Sequence, residues 1–167
     1  PRTWPPTPLL PLPRTRRRLG LDDLWIKDES TNPTGSFKAR GLSAAVTRAI
    51  GAGARRFVLP TAGNAGVAAS AYAARAGATV RVYAPRSTPG TILGQITLFG
   101  GDLQLLDGHI GDCGKAARAW AAEHDAEGFL AEPLCNALAL LGWSFDDKTE
   151  RFTLPELVQA FSVARVS

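Results

Sequence analysis

The chain's 167 residues, 45% of them apolar, suit one domain or one domain with a short appendage, and they carry enough apolar material for a buried core. No apolar stretch approaches the roughly 20 residues of a membrane-spanning helix, and the proline-broken start, with its charges after the apolar part, is wrong for a secretory signal. A net charge of +4 from arginines mostly dispersed among acids and alanines, Arg14 and Arg16–Arg18 apart, fits a solvated surface better than a nucleic-acid face.

Residues 1–20 hold most of the prolines, in WPPTPLLPLPR, and predict an extended, polyproline-like arm laid on a domain surface by its leucines, not a helix. Leu24–Lys27 predicts a short strand, DESTNPTGS a turn-rich loop, and Phe37–Ala52 a helix with Leu42, Ala45, Val46 and Ala49 on one side and Gly51 and Gly53 as its stop. The same unit repeats in kind: a strand at Arg56–Leu59, the loop PTAGN, a helix at Ala65–Arg75, and Gly77 as its stop. Beyond it come a strand at Thr79–Ala84, a helix at Ile92–Phe99, a strand at Leu103–Leu106 and an alanine-rich helix at Cys113–His124. Strands alternating with helices predict an α/β fold, a parallel sheet with helices on both faces, because parallel strands need crossover connections. Ligands of such sheets sit at the carboxyl ends of the strands.

The loops STNPTGS and PTAGNAG both follow a strand and lead into a helix N-terminus, where exposed N–H groups favour anions and glycines allow close approach. Lys38 stands at one of these helix starts, in a chain whose other lysines are Lys27, Lys115 and Lys148. The positive end of a helix dipole repels an ammonium. Such a position favours the neutral amine, a nucleophile suited to an aldehyde cofactor; on charge alone, a surface lysine with no special role explains it better.

The segments WIKDESTNPTGSFKARG and PTAGNAGVAASAYAARAG, in that order, resemble the amino-terminal part of threonine synthase, within the fold-type-II pyridoxal-phosphate enzymes. The resemblance begins around TPLLPLPR and continues through YAPRSTP to about LLDGHIGDCGK, roughly three quarters of the chain. It implies pyridoxal 5'-phosphate as cofactor, with Lys38 carrying it as a Schiff base and later shuttling protons, and Phe37 near its ring. It implies that Asn64 donates to the cofactor's phenolic oxygen, stabilising the linkage without adding a competing nucleophile. Thr61 and Gly63 would receive the carboxylate of a small amino-acid substrate, and Ser36 would be a polar contact or merely a helix cap. Ala62 and Ala65 stand where relatives often have hydroxyls, which leaves the substrate's identity open. The Asn-Pro-Thr-Gly-Ser-Phe-Lys form favours threonine synthase, a lyase that turns O-phosphohomoserine and water into threonine and phosphate by elimination and replacement.

Threonine synthases are roughly twice this length or more, in keeping with two packed domains. Their phosphate-cradling glycine loop belongs to the later part of the sequence, and no GGG-type run follows Gly114 here. The chain alone is therefore expected to hold the cofactor weakly and to be inactive or weakly active. The tail reads differently: NALALLGWS and FTLPELVQAFSVARVS resemble a helical segment of glutamyl-tRNA synthetase just beyond its catalytic domain, without HIGH or KMSKS. This divides the chain into 1–126, threonine-synthase-like, and 127–167, a helical tail with helices at Leu134–Leu141 and Leu154–Phe161, Trp143 and Phe145 packed between them, and a capping box from Thr153 to Glu156. A competing function follows, a non-catalytic fusion fragment or a module binding RNA or protein through the tail helices. The oligomeric state, homo-oligomers included, is open.

His109 and His124 lack partners at ligand spacing and read as surface histidines, so no metal is expected. Cys113 and Cys135 have no CxxC pairing, which fits a reduced, cytoplasmic setting, and Cys113 reads as a small buried residue rather than a reactive thiol. Asp28 and Glu29 are assigned a minor part in orienting backbone.

Overall fold

The computed structural model describes residues 6–124, 126–128 and 159. The readings of the tail, its two helices, its aromatic pair and Cys135, lie outside the described residues, as does nearly all of 127–167. In chain order the elements are β1 (Leu9–Pro11), α1 (Pro13–Leu19), β2 (Trp25–Lys27), a 3-10 turn (Glu29–Thr31), α2 (Lys38–Gly51), β3 (Arg56–Pro60), α3 (Asn64–Arg75), β4 (Thr79–Pro85), α4 (Gly90–Leu98), β5 (Asp102–Leu106), α5 (Ile110–His124) and β6 (Glu127–Gly128).

Four strands form one sheet in the order β5-β4-β3-β6, every pairing parallel, with Phe57 opposite Val80 on one side and Glu127 on the other. Phe57, Val58 and Leu59 are buried in succession, as a central strand covered on both faces requires. From β3 the chain steps to β4 and β5 in one direction, then returns past β3 to β6. Right-handed crossovers therefore put α3 and α4 on one face and α5 on the other. The packing agrees: α3 lies against α4, while α5 lies against β3 and β4. This is the expected parallel sheet with helices on both faces.

On the α3 side Leu42 and Val46 of α2 pack with Phe57, Leu59, Val67, Val82 and Ile96 in the main core. Gly66 makes that packing possible. A Cβ there would collide with Cγ2 of Thr61 and come within 3.0 Å of Cδ1 of Ile96 and 3.3 Å of Cγ1 of Val82. The first turn of α3 thus lies directly on the end of β3 and on α4.

Two expectations fail near the N-terminus. The arm is not extended throughout, since 13–19 is a helix, and of its leucines only Leu12 is partly buried, Leu9, Leu10 and Leu19 being exposed. Pro13 at the first helical position presets φ and forgoes an N–H that would be unpaired anyway, Arg16–Arg18 occupy the last turn where the dipole favours cations, and Gly20 closes it at φ 65°. The strand at 25–27 exists but is no part of the parallel sheet. It pairs antiparallel with β1, Leu9 opposite Lys27 and Pro11 opposite Trp25.

Glycine-to-alanine changes should separate by position. Gly66→Ala forces the core apart and should cost about 1–3 kcal/mol. Gly94→Ala, exposed within α4 with nothing within 4 Å, should stabilise by roughly 0.5–1 kcal/mol. Urea midpoints moving in opposite directions are the expected result.

Candidate functional site

The connection from α2 to β3 is only 52–55, so the end of α2 lies at the amino edge of the sheet. Fourteen residues of helix, about 21 Å at 1.5 Å each, then carry its first turn back toward the carboxyl edge, as the five residues of β3 do over about 17 Å. There Thr61–Gly63 leads into α3, which packs on α2. The starts of α2 and α3 therefore share the carboxyl edge, one carrying Ser36, Phe37 and Lys38, the other Thr61, Gly63 and Asn64.

At the start of α2, Lys38 is half-buried, its Nζ 4.5 Å from the centroid of the exposed Phe37 ring, and it has no hydrogen-bond or ion-pair partner among the described residues. No side chain caps the helix. Ser36 thus does not act as the cap: its hydroxyl is buried without a partner among the described residues, and so is that of Thr34 across Gly35, which turns at φ 70°. A buried hydroxyl without a partner costs roughly 1–3 kcal/mol, so this turn is polar inside and weakly satisfied by its own residues.

At the start of α3, Asn64 is exposed and its carboxamide has no partner among the described residues. The Gly63 N–H donates to Oγ1 of Thr61 at 3.2 Å, and Thr61 is itself buried. These two residues are therefore closed on each other. The N–H groups of Asn64 and Ala65, in the first helical turn, have no intrahelical acceptor and are the open donors of this loop. A further buried hydroxyl without a partner among the described residues, Thr88, lies between β4 and α4 on the same edge. It sits inside the YAPRSTP run, but no spacing in the sequence singled it out.

Sequence reasoning also missed how the Lys38 turn is held. The Glu29 carboxylate accepts from both Nε (2.6 Å) and Nη2 (3.0 Å) of Arg40, from the Thr7 hydroxyl (2.6 Å) and from Nδ2 of Asn32 (2.7 Å). Nη2 of Arg40 also donates to Oγ1 of Thr7, and Nζ of Lys27 donates to the Thr7 carbonyl. The Arg40 guanidinium foremost, then the Thr7 hydroxyl and Asn32, hold the Glu29 carboxyl down to about 2. Asp28 is lowered by the Ser30 hydroxyl and N–H, which it accepts as the cap of the 3-10 turn. Asp28 orients backbone as expected, whereas the Glu29 carboxylate accepts from side chains, those of Thr7, Asn32 and Arg40, and so ties together more of the chain than its neighbours in sequence suggest.

The remaining candidates are peripheral to this edge or inert. The Cys113 thiol is fully buried and pushed up by that burial. His109 is exposed, its backbone N–H donating to the Asp112 carboxylate, and His124 is exposed and stacked on Trp120 at 4.4 Å. Among the described residues no group of three or more His, Cys, Asp or Glu side chains could hold a metal ion, and no helix is long and apolar enough to cross a membrane.

A family profile described as pyridoxal-phosphate dependent enzyme matches residues 2–144. The threonine synthase of Mycobacterium leprae is 40% identical over 121 residues, 70% of this chain and 32% of that protein. That of a Synechocystis strain is 39% identical over 108 residues, 64% of this chain and 28% of that protein. The chain thus spans about a third of the length of these curated relatives. Among solved structures, diaminopropionate ammonia lyase from Escherichia coli superposes with a TM-score of 0.73 at 20% identity, over 79% of this chain and 39% of that one, which speaks for the fold alone. O-ureido-L-serine synthase reaches 0.67 at 27% identity, over 73% and 40%.

The lowered Glu29 carboxyl gives a pH dependence. Its stabilising contribution is complete above the ordinary carboxylate value of 4.5 and is lost as pH falls toward about 2. Thermal unfolding should show wild type more stable than Glu29→Gln at neutral pH, with the difference shrinking below pH 4.5 and gone near pH 2.

Proposed function

The chain belongs to the pyridoxal-phosphate dependent enzyme family, and we propose that it carries the lysine-bearing half of a threonine-synthase-like site. The cofactor of this family is pyridoxal 5'-phosphate, which supplies an aldehyde for a lysine amine and a ring that withdraws electrons from the substrate's reacting carbons. The observation that carries the reading is the half-buried Lys38 amine, without an acid partner among the described residues, at the start of the helix beside the one that Asn64 opens. The residues present fit the group: an amine and a carboxamide without hydrogen-bond partners among the described residues, and an adjacent aromatic face in Phe37.

Each residue then has a distinct task. Lys38 Nζ binds the cofactor and, once free, holds and returns the proton removed from a substrate carbon. Asn64 would help hold the cofactor, its exposed carboxamide being a hydrogen-bond donor for the cofactor's phenolic oxygen. The substrate carboxylate lies against the open N–H groups at the start of α3, where the helix dipole favours an anion, and the Thr61 hydroxyl joins them by turning away from Gly63. Ser36 adds a polar contact from the opposite loop. The reaction assigned is the conversion of O-phosphohomoserine and water to threonine and phosphate. It is catalysed when the polypeptide that relatives have beyond this span is present, and weakly or not at all by these residues alone.

Two measurements test this. Incubation with pyridoxal 5'-phosphate, borohydride reduction and peptide mapping should label the Lys38 peptide in wild type, and Lys38→Ala should lose the label; equal labelling of the two would reject the assignment. Asn64→Ala should weaken the apparent affinity for the cofactor by about one to two powers of ten, the worth of one hydrogen bond to a charged group at roughly 1.5–3 kcal/mol.

A further inference from the structure

The turn that presents Lys38 is not fixed by its own side chains. Its two hydroxyls, on Thr34 and Ser36, have no partner among the described residues, and no side chain caps α2. Local backbone bonds bend it, Gly35 N–H to the Asn32 carbonyl at 2.7 Å and Ala39 N–H to that of Ser36 at 3.2 Å, but they tie the turn only to itself. The lateral hold comes from the Glu29 carboxylate, which bonds Asn32 just before the turn and Arg40 just after Lys38. One carboxylate thus brackets both ends of the segment that carries the amine. The same carboxylate reaches the N-terminal arm through the Thr7 hydroxyl, and Lys27 grips the arm from its other side through the Thr7 carbonyl.

We infer that Glu29 and Arg40 are positioning residues for Lys38, a staple across its turn that the arm locks through Thr7. The inference rests on the role assigned to Lys38 above. Its physical content is geometric: a bidentate guanidinium fixes the direction as well as the distance of its carboxylate, so it fixes where α2 begins. The amine that must meet an aldehyde then points one way instead of sampling many. A lysine in place of Arg40 keeps the charge and loses the fork, so it should restore the position only in part. Thr7 closes the third side, which couples the arm's attachment to the readiness of the amine.

The test uses the full chain and pyridoxal 5'-phosphate, at neutral pH and at a temperature where every variant is folded by circular dichroism. The rate of borohydride-trapped labelling at Lys38 is compared in wild type, Glu29→Gln, Arg40→Lys and Thr7→Val. Val80→Ala, a buried change at the amino end of β4, is the control for general destabilisation. Glu29→Gln should slow labelling by about tenfold or more, Arg40→Lys and Thr7→Val by less, and Val80→Ala not at all. Labelling at the wild-type rate in Glu29→Gln, or slowing in Val80→Ala that matches it, overturns the inference. If Glu29→Gln does not fold, Arg40→Lys and Thr7→Val carry the same comparison. If wild type itself takes no label at Lys38, the assigned role of Lys38 fails, and amide hydrogen exchange judges the staple separately: exchange at 34–38 about tenfold faster in Thr7→Val than in wild type, with α5 unchanged, supports it, and equal exchange overturns it.

Discussion

Thr7, from the N-terminal arm, meets Asn32 and Arg40 on the two oxygens of Glu29. That carboxylate is the point on which the candidate site depends, because the backbone beside it is irregular and the sheet does not reach it. From Thr7 to the first residue of α2, regular pairing is limited to β1 with β2, a ladder of three residues a side. The ion pair adds a fixed direction to what the burial of Asn32, Thr34 and Ser36 provides. Exposed ion pairs are weak as a class, but this one is partly shielded, bidentate and shared with two neutral donors, conditions under which geometry is most strongly fixed.

The sheet contributes the other half of the arrangement. Its central strand is buried on both faces, and short connections oblige each helix to reverse direction against its strand. A helix start placed on one edge then shares that edge with every other helix start in the same layer. The open N–H groups and the buried hydroxyls of Thr34, Ser36 and Thr88, unpaired among the described residues, collect where anionic ligands are favoured, while the opposite edge holds the helix ends. Gly66 sharpens this by letting the second loop settle onto β4 and α4 with no intervening side chain.

Much of this was legible in the sequence because it rests on local patterns. The apolar run at 57–59, the spacing of Leu42 and Val46, and the glycines ending α2 and α3 each act over one or two turns of chain, and the helices and sheet strands fall within a few residues of where those patterns put them. The two loops and Lys38 stood out for the same reason. What was not legible depends on competition or on distance. Prolines in the arm argued for an extended chain, yet one proline at a first helical position, a basic last turn and Gly20 were enough for a short helix. The strand at Trp25–Lys27 carries no mark saying which sheet it joins. No local pattern connects Thr7 or Arg40 to Glu29, and the closing of Thr61 onto Gly63 is a choice of rotamer that composition cannot express.

The ribbon of β1 and β2 has a consequence of a practical kind. Leu9, Leu10, Trp25 and Ile26 are each roughly half exposed, and among the described residues the ribbon has two strands, each with one unpaired edge. Bare edges flanked by large apolar side chains adhere to their like, and the usual safeguard, an outward lysine, is spent here because Lys27 folds back onto the Thr7 carbonyl. Concentrated solutions of these residues alone will tend to clump through that ribbon, so dilution and a charge placed at Leu10 or Ile26 are the natural remedies for anyone purifying them.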